Sequence, residues 1–453
     1  MPKIEIRSLA RILLAAAIQL WPAAINGFPL VYYDTSSYLV GLGSFDAELR
    51  WPYRAPFYSW FLTLTGGTIT LWLPIVAQAI ITIYVLQRVL EAAASKFAKK
   101  QRFVIPLVLS AFTALPWYVS QLMPDIFTAL LPLILFIIIA HQNLRRGERT
   151  AFVAFFGFAV AQHLSNYLIA TPLIIFFTFM ASRLGSRLKL FPARRFIMRT
   201  LGALVVAVYS FFVFNSLVYG RFTMAPMGYI YPMARLLVNG PARWYLNEHC
   251  PDDHLYLCNY LNNLPDDSDV FLWSNGSPYF ALVNKKGRDG TNEEARTIVW
   301  GSLRKYPGTA LRGAMADFLE QLVSNRTWLL GNKFLKLYPH IYLMFRTRAP
   351  HDYDSWRTSR QMRGTLSPES IEPIQSGISI VAFLFCLFFL FRAETTAQAK
   401  LLIGTLLITI VLNAAVCGAL SRPFDRYGAR VIWLLSFGAL AAAPATLERE
   451  PSA

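Results

Sequence analysis

The sequence predicts an all-α polytopic membrane protein that crosses the bilayer about ten times, with one mixed segment outside the membrane. Of its 453 residues, 55% are hydrophobic and only 15% are charged. Apolar runs of mostly about 15 to 22 residues recur along the chain, and these are long enough to cross roughly 30 Å of hydrocarbon as helices. The alternation expected of barrel strands is absent, and an open strand cannot satisfy its backbone in lipid, so the spans are expected to be helices.

The expected spans form two groups. Seven lie in an N-terminal module, residues 1–220, and three in a C-terminal module, residues 373–453. Residues 221–372 are expected to form an extracytoplasmic cap with amphipathic helices over 311–322 and 328–343. The ten spans are expected near residues 8–30, 70–90, 103–119, 126–142, 150–162, 167–181, 200–219, 374–391, 401–418 and 429–446.

The net charge fixes an orientation for these spans. The chain carries a formal charge of +17, and most of the excess lies in loops on the side of the N-terminus, such as residues 183–199. Under the positive-inside rule both termini are then cytoplasmic. We expect a multi-pass protein of a bacterial inner membrane, although an endoplasmic reticulum membrane would give the same topology. Membrane lipids rather than nucleic acid are expected to face the basic loops. The run at 8–30 contains Trp21-Pro22 and is interpreted as a retained first helix.

Two of the four cysteines lie in the cap segment. Cys250 and Cys258 are close in sequence and on the oxidising side of the membrane, so a disulfide between them is expected. His249 and His254 lie beside them, and a zinc site is the alternative, although the spacing matches no common zinc pattern.

The first outer loop, residues 31–69, combines a carboxylate with many aromatic side chains. Asp34 follows the first span and lies between Tyr33 and Tyr38. Burial would raise the pKa of such a carboxylate and suit it to act as a general base, while aromatic rings could position a sugar. Two structural roles compete with this one: an aromatic belt at the membrane interface, and an N-cap for a short helix after Asp34.

Two further outer turns carry polar groups. Pro124-Asp125 begins a span, where a carboxylate also suits the helix dipole. His163 lies in the following outer turn beside Asn166. A single histidine there can be structural, or it can contact a phosphate or protonate a leaving oxygen.

The last outer turn, residues 421–430, contains three arginines. Positive charges outside run against the positive-inside tendency, so their presence needs a reason. One reason is bidentate binding of an anionic phosphate. The other is internal pairing, of one arginine with Asp425 and of another with Asp34 or Asp125.

Four short motifs together resemble the GT-C superfamily of polytopic glycosyltransferases. The resemblance implies a core of seven helices, which matches residues 1–220, followed by a variable C-terminal region. It also implies transfer of a sugar from a polyprenyl-phosphate carrier to a glycan, lipid or protein acceptor on the outer face. The motifs are Tyr33-Asp34-Thr35-Ser36-Ser37-Tyr38, Arg54-Ala55-Pro56-Phe57-Tyr58, Pro124-Asp125 and Asp425-Arg426-Tyr427-x-x-Arg430.

The resemblance also implies roles for individual residues. Asp34 would be the general base that activates the acceptor hydroxyl. No cofactor is expected, because a base and a cationic clamp suffice when the leaving group is a phosphate, although Asp46 and Glu48 leave a divalent metal open. The carrier phosphate would be held by Arg54, Arg422, Arg426 and Arg430, and the substrate pocket would be formed by Tyr33, Tyr38, Tyr58, Asp125, His163, Asn166 and Tyr427.

Three other functions remain open from the sequence. A polysaccharide polymerase or ligase would use the same outer-face base and arginines. A flippase for lipid-linked glycans, or another transporter, would need ionisable residues along a groove through the bilayer, and these are almost missing from the helix centres. A scaffold without chemistry would use the charged residues only to pair with one another. No nucleotide-binding or zinc-protease motif is present.

Overall fold

The computed structural model describes most of the chain, and in it the expected all-α class is confirmed. The described part contains no β-strand, only an isolated bridge between Leu30 and Gln121. Asp46, Glu48 and His254 lie outside it. The described residues are 6–43, 54, 56–93, 99–184, 193–250, 255–328 and 339–443.

The N-terminal helices follow the seven expected spans. Two spans are each broken into a pair of helices, because Pro22 and Pro116 lack a backbone N–H and begin a new helix instead of continuing the old one. Two short helices, α3 and α4, lie in the first outer loop. The helices are α1 (Ile6–Gln19), α2 (Trp21–Asn26), α3 (Thr35–Val40), α4 (Phe57–Leu64), α5 (Trp72–Ala93), α6 (Lys99–Phe112), α7 (Leu115–Val119), α8 (Asp125–Ala140), α9 (Arg146–Ala161), α10 (Ser165–Leu184) and α11 (Ala193–Tyr219).

The described middle of the chain is also helical. Here α16 covers the amphipathic stretch expected at 311–322, whereas only the end of the stretch expected at 328–343 is described, as the start of α17. Three short 3₁₀ helices lie at Tyr256–Asn263, Pro350–Asp352 and Pro368–Ser370. The α-helices are α12 (Ile230–Val238), α13 (Pro241–His249), α14 (Ser268–Trp273), α15 (Pro278–Lys305), α16 (Pro307–Val323), α17 (Pro339–Arg348), α18 (Tyr353–Arg357) and α19 (Arg360–Arg363).

The last three helices are α20 (Glu372–Phe391), α21 (Ala397–Leu420) and α22 (Asp425–Ala442). The last outer turn, expected over residues 421–430, is shorter than expected, because α22 begins at Asp425. A carboxylate in the first turn is favoured by the helix dipole. Arg426 and Arg430 are consequently one turn apart on a helix and share a face.

The chain is a multi-pass membrane protein by the length and composition of its helices. Five of the described helices are long and apolar enough to cross a bilayer: α5, α10, α11, α20 and α21. Shorter apolar helices cover Leu9–Gln19, Gln101–Phe112 and Asp125–Ala140. The count of ten crossings stays a prediction.

The segment expected to form the cap is divided between two hydrophobic cores. Side chains from Met227 to Ala310 pack into a core of their own, whereas Phe345 and Trp356 belong to the core of the helical bundle. The second half is also tied to the bundle by hydrogen bonds, since the Gln361 side chain donates to the Val31 carbonyl at 3.0 Å. Residues 339–366 therefore brace the first outer loop.

A close approach at Gly428 joins α22 to the end of α16. A Cβ atom at Gly428 would lie 2.0 Å from the backbone oxygen of Ser324, whereas a Cβ at Gly404 of α21 would meet nothing within 4 Å. Exchanging glycine for alanine normally favours a helix by about 1 kcal/mol. We expect Gly404→Ala to leave the melting temperature in detergent unchanged or higher and Gly428→Ala to lower it. Equal melting temperatures for the two variants would contradict this packing.

Candidate functional site

Asp34 lies at the N-cap position of α3, yet its side chain makes no capping hydrogen bond. The carboxylate is bound instead by two arginines. Arg54 donates to Oδ1, and Arg426 Nη1 donates to Oδ2 at 3.0 Å. The expected N-cap role is therefore wrong for this side chain, which joins the first outer loop to α22.

A second carboxylate extends this arrangement into the bundle. Asp125, at the start of α8, is fully buried. Its Oδ1 lies 3.3 Å from Arg430 Nη1 and 3.6 Å from Arg426 Nε. The residues Arg54–Asp34–Arg426–Asp125–Arg430 thus form a continuous charged chain, called here the arginine–carboxylate chain. Three guanidinium groups face two carboxylates, so the arginine–carboxylate chain carries one excess positive charge.

The expected internal pairing is confirmed for Asp34 and Asp125 and wrong for Asp425. Asp425 does not bind an arginine side chain among the described residues; its carboxylate accepts hydrogen bonds from Trp328 Nε1 at 2.7 Å and from the Arg326 backbone at 3.1 Å. Arg422 pairs with Asp269, at 2.7 Å. Arg422 is therefore held by the outer segment, apart from the arginine–carboxylate chain.

A cavity of about 340 Å³ lies beside the arginine–carboxylate chain. Four of the predicted site residues line it: Tyr38, Arg54, His163 and Tyr427. The rest of its walls are mainly apolar side chains from α10, from α21 and from residues 224–232. Asp34 does not line the cavity, but it binds Arg54, which does. A space with one cationic end and apolar walls suits an amphiphilic anion.

Three other predicted residues lie behind the cavity wall. Tyr58 is fully buried and donates to Gln78 Oε1 at 2.7 Å. Asn166 is also fully buried and donates to the Ala159 carbonyl at 2.8 Å. Arg430 is 0% exposed. These three residues hold the wall in shape and do not reach a ligand in this arrangement.

Arg430 is bound on several sides in addition to its contact with Asp125. Its Nη2 donates to Asn413 Oδ1 at 2.8 Å and to Ser165 Oγ at 3.3 Å. The other predicted arginine on α22, Arg426, is the one that binds Asp34. Its guanidinium also lies 4.4 Å from the centre of the Tyr32 ring, while Tyr33 contacts Tyr32 through their hydroxyl groups.

Two residues of the site were missed by the sequence analysis. Asn413 accepts a hydrogen bond from Arg430 through Oδ1, and its Nδ2 donates to the Tyr427 carbonyl at 2.7 Å. An amide in the middle of an apolar span is costly in lipid, and that was the signal that could have found it. Tyr231 of α12 lines the cavity near Arg54. Burial raises the pKa of Tyr231 to about 12, against the effect of Arg54, so its phenol stays neutral. No sequence signal distinguished Tyr231 from its neighbours.

Two solved structures are similar to this chain. One is the oligosaccharyltransferase of Archaeoglobus fulgidus in the apo form, with 13% identity and a TM-score of 0.40; the match covers 95% of this chain and 50% of that one. The other is ArnT from Cupriavidus metallidurans in the apo state, with 15% identity and a TM-score of 0.34, covering 97% and 78%. This chain spans about half the length of the first structure. No family model and no curated protein matches the sequence.

At these identities and TM-scores the likeness identifies no activity. The chemistry of this chain has to follow from its own side chains and their surroundings.

The ionisation of Asp34 reflects two opposing effects. Burial disfavours its charged form, but Arg54 and then Arg426 more than offset burial and hold its pKa below the ordinary value. The opposite expectation, of a pKa raised by burial, is wrong for this arrangement. Because the folded-state pKa is depressed, the paired carboxylate stabilises the fold above about pH 4, and this contribution is lost as the pH falls through the folded-state pKa.

His163 is held in one tautomer by the turn before α10. Its Nδ1 accepts a hydrogen bond from the Ser165 backbone N–H at 3.1 Å and lies 2.7 Å from Ser165 Oγ. A backbone N–H can only donate, so Nδ1 carries no proton. The neutral ring therefore has its proton on Nε2. This nitrogen is available to donate a hydrogen bond to a ligand in the cavity that His163 lines.

His163 is expected to stay neutral throughout the usual assay range. Burial, with Arg430, Arg426 and Arg54 nearby, holds its pKa well below the ordinary value, so the ring does not charge as the pH falls past about 6.5. ¹⁵N NMR of histidine-labelled protein, with His163→Gln to assign the signal, should show an Nε2–H tautomer from about pH 8 to 6. An imidazolium signal near pH 6.5, or an Nδ1–H tautomer, would contradict this geometry.

The cysteine pair and the metal question are separate from this site. Cys250 and Cys258 are joined by a disulfide with 5.3 Å between their Cα atoms, so the expected disulfide is present and neither thiol is free to bind zinc. Within the described ranges, no group of three or more histidine, cysteine, aspartate or glutamate side chains could hold a metal ion.

Proposed function

We propose that this protein is a membrane glycosyltransferase that moves a sugar from a polyprenyl-phosphate donor to a glycan, lipid or protein acceptor at the outer face of the membrane. The observation that carries the proposal is the arginine–carboxylate chain, with its one excess positive charge, beside an apolar-walled cavity. Such a site suits a ligand that combines a phosphate with a hydrocarbon tail. A buried charge without a counterion is costly, so the site favours an anion.

Arg54 is the residue of the arginine–carboxylate chain that lines the cavity. Its side chain is 21% exposed, against 4% for Arg426. A guanidinium can bind phosphate oxygens in a bidentate manner. The donor phosphate would therefore bind Arg54 first, with Arg426 behind it. Arg422 and Arg430 are engaged by other partners and would not contact the phosphate.

Asp34 would act as the base once the phosphate is in place. A carboxylate held between two arginines is a weak base, because its pKa is low. A phosphate on Arg54 would compete with Asp34 for this guanidinium and thereby raise the basicity of the carboxylate. Asp34 then takes the proton of the acceptor hydroxyl as its oxygen attacks the anomeric carbon. The bond from that carbon to the phosphate oxygen breaks, and the phosphate leaves with the electron pair, stabilised by the arginines.

The neutral groups around the cavity would orient the two substrates. His163 offers an Nε2–H donor, and Tyr38, Tyr231 and Tyr427 offer phenol rings that can pack against a sugar. No metal is required for this scheme. The charge distribution of the loops supports an outer-face site with both termini in the cytoplasm.

A binding experiment tests the clamp directly. Protein in lipid nanodiscs is titrated with a polyprenyl phosphate and with the matching polyprenol, which lacks only the phosphate. We expect wild type to prefer the phosphate, Arg54→Gln to lose this preference, and Arg422→Gln to keep it because Arg422 pairs with Asp269. Equal affinity of wild type for the phosphate and the alcohol would overturn the proposal.

A further inference from the structure

The polarity of α16 is the reverse of what water-facing helices show. Four apolar side chains spaced one turn apart are exposed: Leu311 by 66%, Met315 by 50%, Leu319 by 55% and Val323 by 74%. A helix on a water-facing surface buries its apolar stripe and exposes its polar one. In α16 the apolar stripe is outside.

The opposite side of α16 is polar or small, and it is buried. Asp317 is only 6% exposed; its Oδ1 lies 2.5 Å from Arg235 Nη2, and its Oδ2 accepts from Asn239 at 2.9 Å. Gln321 is 1% exposed and donates to the Phe424 carbonyl at 3.1 Å. The Asp317 and Gln321 side chains are both satisfied by protein partners, so α16 has little need of water on its inner side.

The neighbours of α16 place it near the end of α21 and near the starts of α20 and α22. A Cβ at Gly418, near the end of α21, would lie 2.5 Å from the Asp317 backbone oxygen, so the two helices touch backbone to backbone. Beyond α16, Trp328 donates to Asp425 at the start of α22 and to Glu372 at the start of α20. Since α20 and α21 are apolar enough to span a bilayer, their ends mark its boundary.

The exposed stripe of α16 continues the apolar surface of these helices. Ile374 in the first turn of α20 is 57% exposed, and Leu420 at the end of α21 is 46% exposed. An interfacial helix lies in the boundary plane with its apolar side among the acyl chains. Arg312, exposed beside the stripe, can extend its guanidinium to the headgroups while its stem stays in the apolar layer.

We propose that α16 is a membrane-interface helix whose stripe of Leu311, Met315, Leu319 and Val323 is covered by the acyl chains of the leaflet in which α21 ends. The occupant is lipid, because the stripe runs on from surfaces that lipid must cover and the polar side of the helix is already paired with protein. This inference does not depend on the reaction that the protein performs. It places part of the segment expected to lie outside the membrane within its boundary.

Collision measurements on spin-labelled protein in nanodiscs test the proposal. A nitroxide is attached at Met315→Cys and Leu319→Cys, and its accessibility to molecular oxygen, which concentrates in lipid, is compared with that to a water-soluble nickel chelate. Arg296→Cys, on a charged and exposed turn of α15, is the matched water-facing control. Protein without an introduced cysteine gives the background from Cys386 and Cys417, which are buried.

We expect both α16 positions to be accessible to oxygen and protected from nickel, with the reverse at Arg296→Cys. Nickel accessibility equal to that of the control would show that water covers the stripe. Protection from both reagents would show that protein covers it, either a second copy or another partner. Either result would overturn the proposal. Labelled variants are used only if they elute and melt like wild type, and Leu311→Cys replaces a variant that fails this criterion.

Discussion

Replacing Asp34 by asparagine is expected to reduce sugar transfer by about 10²–10⁴-fold, the usual contribution of a general base. The amide keeps the size and shape of the carboxylate but cannot take the proton of the acceptor hydroxyl. The measurement is the initial rate of donor consumption in nanodiscs at saturating donor. Asp269→Asn is the matched control, because it also removes an outer carboxylate bound to an arginine, Arg422, and it should retain the wild-type rate.

The same substitution has a cost for stability that must be separated from catalysis. The pKa of Asp34 is held down because Arg54 and Arg426 favour its charged form over the effect of burial, so Asp34→Asn removes a stabilising charge. We expect a lower melting temperature at pH 7 and a smaller difference from wild type as the pH falls toward the folded-state pKa of Asp34. Donor affinity should survive, since the arginines remain. A rate equal to wild type would exclude Asp34 as the base.

Replacing Arg430 by methionine is expected to destabilise the protein by about 3–5 kcal/mol, the usual cost of removing one partner from a buried ion pair. Arg430 is 0% exposed. Its loss would leave the equally buried Asp125 with Arg426 at 3.6 Å as its remaining cation. Asn413 and Ser165 would also lose a hydrogen-bond donor.

The control for Arg430→Met is Arg422→Met, which removes an arginine paired with Asp269 in a partly exposed position. Exposed ion pairs contribute about 0–1 kcal/mol, so this variant should unfold close to wild type. Denaturation in a matched detergent measures both variants. If Arg430→Met unfolds like Arg422→Met, then the arginine–carboxylate chain does not hold α22 to α8.

Much of the site could be predicted from the sequence because the spans alternate in direction. The turns carrying Asp34, Asp125, His163 and Arg426 fall on one face once the apolar runs are counted, and the structure brings these residues together. Their partners could not be predicted. The sequence holds three arginines at 421–430, and nothing in it indicates that Arg422 turns to Asp269 while Arg430 is buried beside Asn413.

Two features escaped prediction for physical reasons: the start of α22 and the buried side of α16. The start of α22 was expected at 429 from hydropathy, but the helix begins at Asp425, where a carboxylate meets the helix dipole before the apolar run starts. In α16 the spacing of Leu311, Met315 and Leu319 indicates an amphipathic helix, yet it does not tell which side is buried. That depends on Arg235, which is far away in sequence and donates a hydrogen bond to Asp317.

The measurement that tests the central claim most directly is the turnover of a panel of polyprenyl-phosphate sugars by purified wild-type protein in nanodiscs, with and without EDTA. The account predicts that one donor is consumed, that the sugar appears on an acceptor while polyprenyl phosphate is released, and that EDTA does not slow the reaction. If every donor survives intact while the protein binds polyprenyl phosphate, then the site is one for binding or moving a lipid-linked glycan and the proposed transfer is wrong.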